Sequence, residues 1–85
     1  MVILEANNEY SSEYISLNGR ILDSTITFEN SDYSIALIEV LDLVGDVRYG
    51  MVTVEFSACV SREVDAVELS EEAYTELLSK WERCV

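Results

Sequence analysis

Between Tyr49 and Val60 the chain reads YGMVTVEFSACV. Val52, Val54, Phe56, Ala58 and Val60 fall on every second position, with Thr53, Glu55 and Ser57 between them. Successive side chains of a strand point to opposite faces, so this alternation predicts a half-buried strand with one wet face. A helix would scatter the same residues around its circumference.

Two further stretches extend the pattern. In YISLNGRIL, Asn18-Gly19 supplies the two left-handed positions of a type I′ hairpin turn, which sets Leu17 opposite Arg20 and Ile15 opposite Leu22. In that register Ile15, Leu17, Leu22, Ile26 and Phe28 share a face, and Ser16, Asp23, Thr25 and Thr27 take the other. Residues 2–4 (VIL) predict a further short strand, followed by a polar loop. Residues 31–46 (SDYSIALIEVLDLVGD) support two readings. As a helix over 32–45, Glu39, Asp42 and Asp46 form one polar stripe, Ser31 or Asp32 caps the start and Gly45 the end. As a strand, the segment pairs with 47–56 across Gly45-Asp46, placing Ile35, Leu37, Leu41, Val52, Val54 and Phe56 together.

The C-terminal segment reads one way. Ser70 stands where an N-cap belongs, Glu71 and Glu72 fill the first turn where the helix dipole favours anions, and Lys80 and Arg83 fall in the last. Tyr74, Leu77, Leu78 and Trp81 recur at helical spacing, and Glu76 and Lys80 form an i,i+4 pair. The expected fold is therefore α+β, a single domain over 1–85. A small antiparallel sheet of four or five strands is covered on one face by an amphipathic helix at about 70–83, with a second helix if 32–45 is helical.

Composition excludes several classes of function. Hydrophobic residues make up 49% of the chain, which is the profile of a folded protein and unlike an acidic disordered tail. No apolar run approaches a membrane span, and the N-terminus has no basic, apolar leader, so a cytoplasmic protein is expected (host cytoplasm if the chain is viral). Cys59 and Cys84 belong to no CxxC pair and are expected as reduced, core-type thiols. With no histidine and only two cysteines, a zinc centre is not expected. No nucleophile elbow, phosphate-binding glycine loop or calcium loop occurs, so neither catalysis, nor a cofactor, nor a metal is expected.

Charge is the outlier. Seventeen acids against five bases leave −12, more than solubility demands of so small a domain. Residues 1–47 hold nine acids and one base, and residues 48–85 hold eight and four, so the excess belongs to the body of the fold. Such a field repels nucleic acid and anionic membrane, and it attracts basic proteins. Carboxylates two apart on a strand or four apart on a helix are separated by roughly the spacing of phosphates along one strand. The functional expectation is a non-enzymatic inhibitor that blocks a basic nucleic-acid-handling enzyme or effector complex by mimicking its nucleic acid. Small, acidic, α+β and without catalytic residues is a profile that resembles phage-encoded anti-defence proteins, anti-CRISPR and anti-restriction proteins among them.

Six carboxylates in SREVDAVELSEEAYTE are the expected partner contacts: Glu63, Asp65, Glu68, Glu71, Glu72 and Glu76. Reversing Glu63, Asp65 and Glu68 to lysine is expected to leave the fold intact. Asp23, Glu39, Asp42, Asp46 and Glu55 form a competing set. The alternative expectation is a homo-oligomeric or adaptor module with a merely solvated acidic surface. Its support is the apolar surplus of Ile35–Val44, Met51 and Trp81, and a homodimer is its simplest form.

Overall fold

The computed structural model describes residues 9–15, 17–57 and 60–80, with the helix backbone continuing to Arg83. Its strands are β1 (Glu9–Tyr10), β2 (Gly19–Glu29), β3 (Tyr33–Asp42), β4 (Val47–Ser57) and β5 (Val60–Leu69), followed by helix α1 (Glu71–Arg83). Each strand lies antiparallel beside the next, in the spatial order β1-β2-β3-β4-β5. The sheet curls into a half-barrel with α1 packed on it, which is the α+β arrangement expected. The expected strand at residues 2–4, Ala58, both cysteines and the Trp81 side chain lie outside the described residues.

Segment 32–45 holds the strand β3, Tyr33–Asp42, and no second helix forms there. Its ambiguity has a physical origin. β3 is the central strand, and Ala36, Leu37, Ile38 and Val40 are all buried, so both faces are covered and period-two alternation disappears. The turn also differs from the expected one. Asp42 accepts from the Gly45 amide (3.2 Å) and donates to the Asp46 carbonyl (2.8 Å), closing a four-residue loop, Leu43–Asp46. Ala36 therefore faces Val52 and Leu37 faces Met51. Ile35, Leu37 and Leu41 consequently occupy the face opposite Val52, Val54 and Phe56, and the expected common face does not form.

Cross-strand register sorts the side chains into an inner and an outer face. Tyr10, Ile21, Ala36, Ile38, Val40, Val52 and Ala66 form the inner core, with Leu17. Leu17 belongs to no strand. Residues 11–15, 17 and 18 belong to no strand, so the expected Asn18-Gly19 hairpin is absent and the Ile15–Leu22 pairing with it. Asn18 instead closes this loop through its side chain, whose Oδ1 accepts from the Ser12 amide at 3.1 Å. Leu17 is completely buried above Gly50, where an added Cβ would come within 2.6 Å of the Leu17 methyl group. The core thus lies between the sheet and Leu17, on the side away from the helix.

Helix α1 covers part of the outer face. Ser70 Oγ accepts from the Ala73 amide at 3.1 Å, the expected N-cap. Tyr74 is buried against Tyr49, with ring centroids 4.6 Å apart, and Leu77 borders Phe28, Ile35, Leu37 and Met51. The alternating segment that opened the sequence ends sooner than expected. β4 stops at Ser57, which already faces Val60 of β5, so the chain reverses there. Residues 60–69, read only conditionally as extended, form a full edge strand. Register shifts at Leu22, Thr27 and Val64 put bulges in both β2 and β5, which discourages edge-to-edge pairing.

Candidate partner-binding surface

The half-barrel divides the expected site. Tyr10 and Glu63 sit on strands at opposite edges of the sheet, yet the Tyr10 hydroxyl donates to the Glu63 carboxylate across the inner face. Ser12 Oγ donates to the other carboxylate oxygen at 2.9 Å. Glu63 is therefore a closing contact of the fold, and its reversal is expected to destabilise the protein rather than leave it intact.

Glu68 also faces inward, opposite Gly50, and takes Arg48 Nη1 at 2.9 Å. The same guanidinium gives its Nε to Asp42 Oδ2 at 2.9 Å. Asp42 Oδ1 further accepts from the amides of Val44 (3.0 Å) and Asp46 (2.8 Å). Hydrogen bonds from the Asp46 amide and from Arg48 hold the Asp42 carboxyl below the usual carboxylate range. These three carboxylates are thus engaged within the chain.

On the outer face the position is reversed. Asp65 is exposed, opposite Thr53. Asp23 on β2 and Glu39 on β3 are direct cross-strand partners, and among the described residues neither has a cation within ion-pair distance. Tyr49 sits beside Glu39 on β4 and donates to Glu71 Oε2 at 3.2 Å, linking this row to the start of the helix. Glu72 is exposed one residue on. Glu55 pairs with Arg62 at 3.4 Å and Glu76 with Lys80 at 3.9 Å, the latter as expected. Of the six expected contacts, Asp65, Glu71 and Glu72 remain open to a partner, and Asp23 and Glu39 from the competing set join them. Sequence pattern alone could not select this group, because which carboxylates face outward depends on bulges and on the register of β3. Among the described residues, the other acids without an ion pair, Glu9, Glu13, Glu29, Asp32 and Asp46, are spread over β1, the end of β2, loops and turns.

Two tyrosine hydroxyls report the local field. Burial first, then the charges of Asp23 and Glu39, push Tyr74 up to about 12. Burial and then Glu63 push Tyr10 well above the ordinary tyrosine range. Both groups are held neutral in the fold, with folded-state values above the unfolded one. Their stabilisation is therefore complete below about pH 10 and is lost as pH rises further. The urea midpoint should fall steeply as pH climbs from about 10 to about 12. A flat profile there would show that neither hydroxyl is shielded.

No family model, curated protein or solved structure matches this chain. The class defined by fold and surface is an acidic α+β domain, a curled antiparallel meander with Asp23, Glu39, Asp65, Glu71 and Glu72 on its helix side. Among the described residues, no group of three or more metal-ligating side chains converges, and no helix is long and apolar enough to cross a membrane.

Proposed function

We propose that this protein binds and blocks a basic nucleic-acid-binding protein, presenting its outer-face carboxylates where phosphates would lie. One observation supports the reading: Asp23, exposed, and Glu39, half-buried, stand opposite each other on adjacent strands, with no cation within ion-pair distance among the described residues. Like charges in that relation destabilise a sheet, and a basic partner would remove the repulsion. Their Cβ separation, about 5 Å, is of the order of the phosphate spacing along one strand. Asp65, Glu71 and Glu72 extend the anionic surface on the same side. This fits an inhibitor of the anti-defence kind, acting by occupancy and without catalysis.

The test is displacement. Purified restriction complexes, guide-RNA effector nucleases and other basic nucleic-acid enzymes are loaded with a labelled duplex and titrated with this protein. A true target releases its duplex, and the effect weakens sharply between about 50 and about 200 mM salt. The Asp23→Asn/Glu39→Gln double variant should need roughly tenfold more protein for half-displacement. It should also be more stable than the parent by about 0.2–1 kcal/mol, since the cross-strand repulsion is gone. Failure to displace duplex from any member of the panel would remove the proposal.

A further inference from the structure

Turn positions are ordinarily polar, yet the β3–β4 loop presents Leu43 and Val44 at its tip, 87% and 81% exposed. The loop is built without them. Asp42 supplies its side-chain hydrogen bonds, to the amides of Val44 and Asp46, and is held in turn by Arg48. Positions 43 and 44 are thereby released from turn chemistry and held outward on a braced support. Val47, at the start of β4, is also exposed beside them. A rigid apolar knob of this kind is unfavourable in water, and burial against an apolar surface stabilises it.

Next to the knob lies its complement. A hollow of about 550 Å³ borders Leu43 itself, with Tyr10, Gly19, Arg20 and Leu41 among its walls. Knob and hollow on one patch are what a two-fold contact requires, because the same surface must serve both partners. Charge at this end is partly offset, although Glu9, cross-strand from Arg20, also lines the hollow. A chain of net charge −12 repels its own copy over most of its surface. At this end Arg48 offsets Asp42 and Glu68, and Arg20 is the described cation without a carboxylate at ion-pair distance. A second copy carries Asp46 at the edge of its own tip, within the patch that would meet Arg20.

We infer that the β3–β4 tip is a dimer contact, in which Leu43 and Val44 of each copy seat in the hollow beside the tip of the other. This surface is separate from the outer-face carboxylates and does not depend on their proposed role.

The experiment is sedimentation of the full chain from about 10 µM to about 1 mM protein, in about 0.1 M and about 0.5 M salt. A monomer–dimer equilibrium is expected, shifted toward dimer at the higher salt because the copies' mutual repulsion is screened. The Leu43→Ser/Val44→Ser variant should dimerise at least about tenfold more weakly, with its thermal midpoint unchanged because both side chains are already in water. A chain that stays monomeric at the highest concentration and salt overturns the inference. So does a dimer that survives the double substitution at full strength.

Discussion

Alanine at position 19 is expected to destabilise the protein by on the order of 3 kcal/mol or more. Gly19 opens β2 with φ at +155°, and its Cα lies against β3. An added Cβ would enter the van der Waals radius of the Leu41 carbonyl oxygen, and would lie 2.8 Å from the Leu41 carbonyl carbon and 2.9 Å from Asp42 Cα. These are backbone atoms of a paired strand, so no side-chain rotation relieves the contact. Relief requires parting β2 from β3 at the end where β1 pairs with Gly19 and Arg20. A domain of this size has a total stability of roughly 4–13 kcal/mol, so the variant is left near its unfolding threshold. Gly45, with φ at +93° but open space around its Cβ position, makes the control: its alanine variant suffers backbone strain alone. Urea denaturation of the two variants checks this, and equal midpoints would contradict the close approach at Gly19.

Reversal of Glu63 is the second large effect. Glu63→Lys removes the acceptor for Tyr10 and Ser12, both buried, and places a cation where two hydroxyls point. Hydrogen bonds to a charged group contribute about 1.5–3 kcal/mol, and a stranded buried hydroxyl adds a further penalty, so a loss of about 3 kcal/mol is expected. The structural consequence is specific. Tyr10 and Glu63 join the two edges of the sheet, so their separation opens the half-barrel over Leu17 and the inner core. Glu63→Gln keeps an acceptor oxygen and should lose less. Asp65→Lys, two residues on but facing outward, should change stability by no more than about 0.5 kcal/mol. Chemical denaturation of the three variants gives the order directly. If Glu63→Lys proved as mild as Asp65→Lys, Glu63 would return to the partner surface.

The contrast between these neighbours shows how far residue pattern reaches. Glu63 and Asp65 are two apart and would share a face in a regular strand. Val64 instead occupies a bulge against Thr53 and Val54, so one carboxylate turns inward and the other outward. A one-residue irregularity reverses the sidedness of everything beyond it. The three-residue shift in the β3–β4 pairing acts in the same way on Leu37 and Val52. Asn18-Gly19 misleads for a different reason: the dipeptide has turn chemistry, but Gly19 is needed for its closeness to Leu41.

Local chemistry was sufficient for the helix and its cap at Ser70, for the pairing of Glu76 with Lys80, for the alternation of β4, and for the anionic character of the body. Each depends on contacts within a few positions along the chain, where propensity, spacing and charge act directly. The tertiary structure alone decided that the core closes under Leu17, that Glu63, Glu68 and Asp42 are consumed internally, and that Asp23 and Glu39 stand together on the outer face. Those outcomes depend on curl, bulges and register, which arise when distant strands meet and bury their apolar faces together.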